Sequence, residues 1–222
     1  MMKDLIMIYR VLPYLLKGSI VTIGLVAGAL GLGFVLGILM AVEQIYGSKP
    51  ISKIASLYIW FFRGVPILVL LFLFYFGLFS LINLNLSAFT AGVLVLGLRS
   101  AAYQSQIFRG SIQSLGSGQM QAARSIGMSR FKAIWYIILP QALRISIPGW
   151  SNEYATILKD SAVTYAIGVV ELLTRASFIA TKNFKIMPVY LTCAVIFLIL
   201  TYGGAKLLHL LEKRVRIHGY ED

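Results

Sequence analysis

The sequence has few charged residues, and this scarcity excludes an ordinary soluble domain. Of its 222 residues, 13% are Asp, Glu, Lys or Arg and 59% are hydrophobic, whereas soluble domains have about 25% charged and about 45–50% apolar residues. Uncharged stretches cover residues 18–42, 64–98 and 186–205. Because a helix rises about 1.5 Å per residue, about 20 apolar residues cross a hydrocarbon core of about 30 Å. The uncharged stretches therefore predict membrane-spanning helices.

Residue types that carry out chemistry are also scarce. The single cysteine, Cys193, can form no disulfide within the chain and is expected to pack as a small hydrophobic group. The two histidines, His209 and His218, are solitary, and we expect His209 to lie at the membrane interface rather than to bind a ligand. The sequence contains no nucleophile–base pair, no metal-ligand spacing and no G-x-x-x-x-G-K-[ST] phosphate loop. The chain is therefore expected to be no enzyme, with no catalytic site, metal site or cofactor of its own.

Acidic residues are fewer than basic ones. There are 8 Asp and Glu against 20 Lys and Arg, giving a net charge of +12, and such a balance can indicate nucleic-acid binding. Here, however, Lys and Arg cluster at the ends of the apolar stretches, where they would face anionic lipid. We therefore expect membrane lipid, and no nucleic acid, to contact the basic side chains.

The order of apolar and polar stretches predicts an all-α, polytopic membrane helix bundle with five transmembrane helices. The expected spans cover about residues 14–41, 54–81, 87–109, 133–152 and 187–208. The fourth is interrupted by Pro140 and Pro148, and residues 159–185 are expected outside the membrane or at its far interface. Because no internal repeat divides the chain, residues 1–222 are expected to form a single transmembrane domain.

The charge distribution predicts the orientation of this bundle. The first 17 residues, which include Lys3 and Asp4, are typical of an interfacial entry segment. Lys and Arg are frequent after the first and third spans and in the tail that contains Arg216. By the positive-inside rule, this places the C-terminus inside. Since five spans put the termini on opposite sides, the N-terminus is expected outside.

A spaced motif lies in the polar loop at about residues 110–140. It reads Gln121-Ala122-Ala123, three residues, Gly127, nine residues, Ile137, one residue, Leu139-Pro140. The two small alanines would let a short helix lie in a groove of a partner, and Gly127 would break that helix. Pro140 is expected to start the next helix. The spacing resembles the EAA loop, E-A-A-x3-G-x9-I-x-L-P, of importer permeases in the ATP-binding-cassette superfamily.

Further motifs resemble the polar amino acid branch of that family, and the resemblance extends over about residues 18–214. They are Arg63-Gly64-Val65-Pro66, Ala101-Ala102-Tyr103, Phe108-Arg109-Gly110, Leu139-Pro140-Gln141-Ala142, Asn152-Glu153, Leu158-Lys159-Asp160-Ser161 and Glu171-Leu172. Three positions depart from the pattern of the family. Gln121 and Gln106 stand where an acid is usual, and Arg99 stands where a small or neutral polar residue is usual.

The resemblance implies a division of labour between several proteins in a prokaryotic cytoplasmic membrane. Two permease subunits would form the translocation path, and separate ATPase subunits beneath them would bind ATP and Mg. An extracytoplasmic binding protein would deliver a polar amino acid. A short cytoplasmic helix at about residues 118–126 would couple ATP binding to alternating access. The residues expected to couple the permease to the ATPase are Gln121, Ala122, Ala123, Arg124, Ser125 and Gly127.

Charged side chains within the predicted spans are candidates for the substrate path, because burying a charge in the bilayer is costly. Glu153 could receive the ammonium group of an amino acid, and Arg99 could bind its carboxylate in a bidentate manner. Asp160 is a third charged candidate. The structural alternative for all three is an ion pair or a helix cap inside the bundle. Asn152, Thr156 and Ser161 could add neutral hydrogen bonds.

Other functions are compatible with parts of this pattern. Within the importers, the solute could instead be an opine or a sulfur compound, and the second permease could be the same chain or a sister chain. A passive channel or secondary carrier is a further alternative, although such proteins often have internal repeats and more spans. Arg63 is expected to snorkel or to support helix packing rather than to contact substrate.

Overall fold

The structure is a computed structural model that describes residues 2–215, with side chains from Ile6 onward. Every regular element in this range is a helix, which confirms the predicted all-α class. The side chains of Lys3 and Asp4, and the residues Arg216 and His218, lie outside the described residues. The predictions that involve them are therefore not tested by the fold.

The helices follow one another with short connections. Their bounds are α1 Met2–Tyr46, α2 Lys49–Gly64, α3 Ile67–Leu81, α4 Ala88–Ser114, α5 Gly118–Ser125, α6 at residues 130–145, α7 Ile147–Asp160, α8 Leu172–Asn183 and α9 Ile186–Val215. A 3₁₀ turn, Ser161–Ile167, extends α7. Among these, α1 and α4 share the most extensive interface, and α7 packs on α9.

Small residues allow α1 and α4 to approach each other closely. A Cβ atom added to Gly37 would lie 3.1 Å from the backbone nitrogen of Ser105 and 3.3 Å from the carbonyl oxygen of Ala101. A Cβ atom on Gly33 would lie 3.0 Å from the Cβ atom of Ser100. Both glycines are buried, so neither site can accept a larger residue without moving a helix. The close contact brings the polar residues of α4 up to the backbone of α1.

Two of the described helices are long and apolar enough to cross a membrane by themselves, namely Ile6–Tyr46 and Ile186–Val215. Two bent pairs satisfy the same requirement jointly, Lys49–Gly64 with Ile67–Leu81 and Ile147–Ile167 with Leu172–Asn183. The described residues therefore contain two to four candidate spans by length and composition. The helix α4, which the sequence predicts as the third span, is less apolar and is buried along much of its length.

The predicted second span, residues 54–81, is interrupted in the structure. Its two parts, α2 and α3, meet at an angle of 108°. The bend lies at Val65, which has φ −95° and ψ 132°, and it precedes Pro66. A proline disfavours helical geometry in the residue before it, so the chain leaves α2 here. As a result, α2 lies across the direction of α3, with Trp60 exposed and Ile59 and Phe62 buried.

The helix after the polar loop begins earlier than the sequence predicts. Residue Ser129 caps α6 by accepting a hydrogen bond from the backbone N–H of Lys132, so α6 starts ten residues before Pro140 and not at it. A π-helical turn, Ile134–Ile138, precedes the proline, and the N–H of Leu139 donates to the carbonyl of Ile134. This wider turn accommodates a residue that has no N–H to donate.

The predicted fourth span, residues 133–152, falls on α6 and the beginning of α7 and is not among the candidate spans of the described residues. The candidate is instead the bent pair Ile147–Ile167 with Leu172–Asn183, which contains most of the segment 159–185 that the sequence predicts outside the membrane or at its far interface.

Candidate functional site

A glycine with a positive φ angle lies on each side of the short helix α5. Gly116 and Gly127 have φ values of +65° and +85°, a conformation that favours glycine. At the C-terminal end, the N–H of Gly127 donates to the carbonyl of Arg124, and the N–H of Met128 donates to the carbonyl of Ala123. These bonds satisfy carbonyls that the helix leaves without partners. The predicted helix break at Gly127 therefore has a structural basis.

One face of α5 is attached to the bundle and the other is exposed. Ala123 is buried, and the Gln119 side-chain oxygen accepts a hydrogen bond from the side-chain amide of Gln141 on α6 at 3.4 Å. The predicted coupling residues on the exposed face are Gln121, Ala122, Arg124 and Ser125, followed by the exposed Gly127. Next to them Ile126 is 78% exposed. The helix thus presents a small, partly apolar surface on a rigid attachment.

A buried polar cluster joins α4 to α7 and α1. The Ser100 hydroxyl donates to Oε1 of Glu153 at 2.7 Å, and Gln104 Nε2 donates to Ser100 Oγ at 3.0 Å. Gln104 Nε2 also donates to the backbone carbonyl of Leu30 at 3.2 Å, and its Oε1 accepts from Trp150 Nε1 at 2.7 Å. Ser100 and Gln104 share a face of α4 because they are four residues apart. The predicted substrate residue Glu153 lies at the end of this cluster and is 4% exposed.

The other two charged candidates contact each other. Arg99 on α4 forms a hydrogen-bonded ion pair with Asp160 at the end of α7. The guanidinium of Arg99 also lies 4.8 Å from the ring centroid of Tyr103, and that of Arg63 lies 5.0 Å from the same ring. Arg99 and Asp160 thus adopt the ion pair that the sequence left open as a structural alternative. Arg63 packs against an aromatic ring, as expected for a helix-packing role.

The hydroxyl groups of the neutral candidates form hydrogen bonds within their own helical segment. The Thr156 hydroxyl donates to the carbonyl of Asn152 at 3.1 Å, and the Ser161 hydroxyl donates to the carbonyl of Leu158 at 2.7 Å. Ser161 is buried, whereas Asn152 is exposed. The structure therefore does not bring these three residues into the cluster around Glu153.

The sequence predictions missed three members of the cluster: Ser100, Gln104 and Trp150. A polar pair spaced by four residues within the largely apolar α4 was a usable signal, because such a pair lies on one helix face. No comparable signal marks Trp150, whose partner Gln104 is 46 residues away. Tyr103 belongs to the motif Ala101-Ala102-Tyr103. Its contact with both Arg63 and Arg99, however, depends on tertiary packing.

The neutral residue Gln106 also has a defined environment. Its Nε2 donates to Oε1 of Gln44 at 2.8 Å, and its Oε1 accepts from Nε of Arg109 at 3.0 Å. Gln44 Nε2 in turn donates to the Ser56 hydroxyl at 3.1 Å. These side chains form an amide bridge that links α4, α1 and α2. Glutamine suits this position because it donates and accepts at once.

The described residues contain no group of three or more His, Cys, Asp or Glu side chains placed to hold a metal ion. His209, expected at the membrane interface, is exposed, and its Nδ1 lies 3.2 Å from Oε2 of Glu212 on the same helix. Cys193 is buried, as expected for a small hydrophobic residue.

Comparison with known proteins identifies the family of the chain. Residues 33–217 match the family described as binding-protein-dependent transport system inner membrane component. The chain is 34% identical over 203 residues to the probable amino-acid permease protein YxeN of Bacillus subtilis (strain 168), with 90% of this chain and 91% of the relative covered. It is 33% identical over 211 residues to the glutamine transport system permease protein GlnP of Escherichia coli (strain K12), covering 95% and 96%. It is also 35% identical over 211 residues to the octopine transport system permease protein OccQ of Rhizobium meliloti, covering 90% and 89%.

A solved structure has the same fold. It is described as a crystal structure of an amino acid ABC transporter with histidines, and it superimposes with a TM-score of 0.84 at 36% identity, covering 95% of this chain and 98% of the other. The family is that of a transport component, so the expectation that the chain is no enzyme is confirmed. Its description implies an ATPase and a binding protein as partners. The chain therefore belongs to the binding-protein-dependent transport system inner membrane components, and it is the non-catalytic permease subunit of an ATP-binding-cassette transporter.

Proposed function

We propose that this chain carries polar amino acids into the cell by alternating access, as one of two permease subunits above two ATPases. The observation that carries the proposal is the 36% identity, over nearly the whole chain, to an amino acid transporter of known structure. The names of GlnP and YxeN point to the same substrate class. An extracytoplasmic amino-acid-binding protein would deliver the substrate, and ATP and Mg would be bound by the ATPases.

The proposed subunit is a single domain with five spans, its N-terminus outside and its C-terminus inside. The candidate spans by composition are α1, α9 and the two bent pairs, and α4 would be the fifth. A helix of 27 residues has a length of about 40 Å, enough to cross the bilayer. Its polar residues Ser100, Gln104 and Ser105 are buried, so they would face protein rather than lipid. This burial explains how a span of low hydropathy could be stable in the membrane.

Coupling to the ATPase is proposed to occur through the exposed face of α5. The helix is short and is capped at its C-terminal end by backbone hydrogen bonds. Its buried Ala123 and its contact with α6 attach it to the bundle. A movement of the ATPase would therefore be passed on to α6 as a whole-helix displacement. This is a two-state element that a ligand on another subunit can bias.

Substrate contact is proposed at Glu153 and, outside the buried cluster, at Asn152, its exposed neighbour in the chain. Glu153 accepts a hydrogen bond from a neutral hydroxyl, Ser100, and forms no ion pair among the described residues. Its carboxylate would attract an ammonium group in a conformation of the cycle that opens this buried position to the substrate. Arg99 and Asp160 already satisfy each other in the described conformation. They would contribute to substrate binding if the cycle separates α4 from the end of α7. Thr156 and Ser161 are assigned a lesser part, because their hydroxyls bond within the helix.

A second candidate solute is an opine, since the relative OccQ is an octopine permease at 35% identity. Both solute classes carry a carboxylate and a cationic nitrogen, so the same charged residues would serve either. A sulfur-containing amino acid is a related alternative, as the relative TcyB of Bacillus subtilis (strain 168) is an L-cystine permease protein at 34% identity.

The test is purification of the tagged chain in mild detergent, identification of accompanying subunits by mass spectrometry, and reconstitution of the complex into vesicles. We expect a P-loop ATPase in equal amount and ATP-dependent uptake of a polar amino acid. A sister permease in the same complex would identify a heterodimer, and its absence a homodimer. Uptake by this chain alone without ATP would overturn the proposal in favour of a passive carrier.

The substrate assignment is tested with Glu153→Gln in the reconstituted complex. We expect uptake of a cationic or neutral amino acid to lose about tenfold in apparent affinity, because one charge-assisted hydrogen bond is removed. The matched control is Glu212→Gln, a half-buried acid on α9 that contacts His209 of the same helix, and it should have no effect. An unchanged affinity and preference in Glu153→Gln would refute the role of Glu153 and leave the transport function itself intact.

A further inference from the structure

A cavity opens between the beginning of α1 and the end of α8. Its volume is about 470 Å³, and its polar lining residues are Arg10, Lys182 and Asn183. The rings of Tyr14 and Phe178 line the same cavity. It lies away from Glu153 and from α5, and neither transport nor coupling as proposed above makes use of it.

The cavity is positively charged. No acidic residue is among its described lining residues, and neither Arg10 nor Lys182 forms an ion pair with any other side chain described between residues 6 and 215. A third cation, Arg175, lies with its guanidinium carbon 4.6 Å from the ring centroid of Tyr14. Its buried Nε has no hydrogen-bond partner among the described residues. Arg175 does not line the cavity, but its charge lies directly behind the Tyr14 ring that does and adds to the positive potential there.

The cavity lies where apolar helices emerge at one end of the bundle. On α1, Arg10 and Tyr14 precede the uncharged stretch of residues 18–42. On the other side, Lys182 precedes the start of α9 at Ile186. The boundary between basic and apolar residues therefore falls at the same level on both helices. Cations and aromatic rings at such a boundary are typical of the headgroup region of a bilayer.

We propose that this cavity binds the phosphate of an anionic phospholipid headgroup. The phosphate oxygens would accept hydrogen bonds from Arg10 and Lys182, which are donors only. The aromatic rings would cover the glycerol region, and the acyl chains would follow the exposed residues Leu16, Ile20 and Ile23, which lie on one face of α1. In the proposed orientation, with the N-terminus outside, the cavity faces the outer leaflet, where two cationic donors can bind a lipid phosphate by charge-assisted hydrogen bonds. A lipid in this position would connect α1 to α8 and so stabilise their packing.

The experiment measures lipid retention by native mass spectrometry of the detergent-purified permease complex, titrated with phosphatidylglycerol or phosphatidylcholine. The test variant is Arg10→Gln/Lys182→Gln. The matched control, Lys213→Gln/Arg214→Gln, removes two charges from the far end of α9. We expect phosphatidylglycerol to bind the wild type and the control at least about tenfold more tightly than the test variant, since each basic residue near the surface attracts anionic lipid. Phosphatidylcholine should distinguish none of them.

Two further arms identify the ligand. A charge-conserving variant, Arg10→Lys/Lys182→Arg, should retain phosphatidylglycerol, which separates lost charge from a folding defect. Inorganic phosphate should not displace the lipid at equal concentration, and full displacement would overturn the lipid in favour of a free phosphate site. Equal lipid retention in the test variant and the control would also overturn the proposal. Loss of binding-protein docking in the test variant with unchanged lipid retention would identify the cavity as a protein contact instead.

Discussion

The surface of α5 and the cluster around Glu153 are built on opposite principles. On α5, the exposed residues include alanine, serine and glutamine, and their hydrogen bonds stay within the loop. Around Glu153, the side chains of Ser100 and Gln104 are buried, and each forms a hydrogen bond to another helix. A surface made for a partner needs a rigid backbone and small side chains. A buried polar cluster needs complete hydrogen bonding, since each missing partner in a low-dielectric interior is costly.

This contrast teaches that the two regions should fail differently when altered. Changes on α5 should reduce transport and leave the stability of the subunit unchanged. Changes in the buried cluster, or in the α1–α4 contact that supports it, should lower the stability of the subunit, and transport should fall because the subunit is less stable.

Substitution Gly37→Leu should have the largest effect. The new side chain would meet the backbone of α4 at Ser105 and Ala101, so α1 and α4 would separate. We expect a loss of about 3 kcal/mol or more of unfolding free energy, measured by thermal unfolding of the purified complex. The control is Gly31→Leu, where nothing lies within 4 Å of an added Cβ atom. Equal stability of the two variants would contradict the close packing of α1 on α4.

Substitution Ser100→Ala removes the donor to Glu153 and one partner of Gln104. Because both groups are buried, we expect a loss of about 1–3 kcal/mol in unfolding free energy. The comparison variant Ser114→Ala removes a hydroxyl that donates to the carbonyl of Ser111 within its own helix, and it should cost less than about 0.5 kcal/mol. A neutral result for Ser100→Ala would mean that the cluster does not support the fold.

Substitution Ala122→Trp should act on transport alone. A bulky ring on the exposed face of α5 would prevent close docking of the ATPase, and we expect ATP-dependent uptake to fall about tenfold or more, equivalent to about 1.4 kcal/mol. Thermal stability of the isolated permease should change by less than about 0.5 kcal/mol. Ala194→Trp, at an exposed alanine of α9, serves as the control for bulk. Full uptake by Ala122→Trp would remove α5 from the coupling surface.

Substitution Gln106→Glu, which restores the acid usual in related permeases, should have the smallest effect. The carboxylate can still accept from Arg109, and the Gln44 amide can turn to donate to it instead of accepting. We expect a change within about 0.5 kcal/mol in stability. Gln106→Leu, which can neither donate nor accept, should be clearly more destabilising. Similar stability of the two variants would show that the amide bridge is not required.

Local signals in the sequence predicted more of the helix α5 than of the buried cluster. The extent of α5 and its end before Gly127 follow from residues within a short stretch, whereas the cap at Ser129 was not predicted. The bend at Val65 was also visible locally, since Pro66 follows it, but the long uncharged stretch obscured it. The partners of Gln104 are 46 and 74 residues away in the chain. Such pairings arise from the way α1, α4 and α7 pack, and no spacing within one segment encodes them.

The predicted start of a helix at Pro140 illustrates a related difficulty. Proline is common at the beginning of a helix, so the prediction followed the usual preference. The structure instead continues a helix through this position by widening the preceding turn. A helix that continues through Pro140 buries Ile134 and Ile138. Whether this burial outweighs the preference of proline for a helix start depends on the packing of the whole bundle.

The amide bridge between Gln44 and Gln106 has a consequence for the response of the protein to ionic strength. Bonds between neutral amides are not weakened by dissolved ions, whereas exposed charge pairs lose much of their attraction within a Debye length of about 8 Å at physiological ionic strength. The junction of α1, α2 and α4 should therefore keep its geometry when the salt concentration changes.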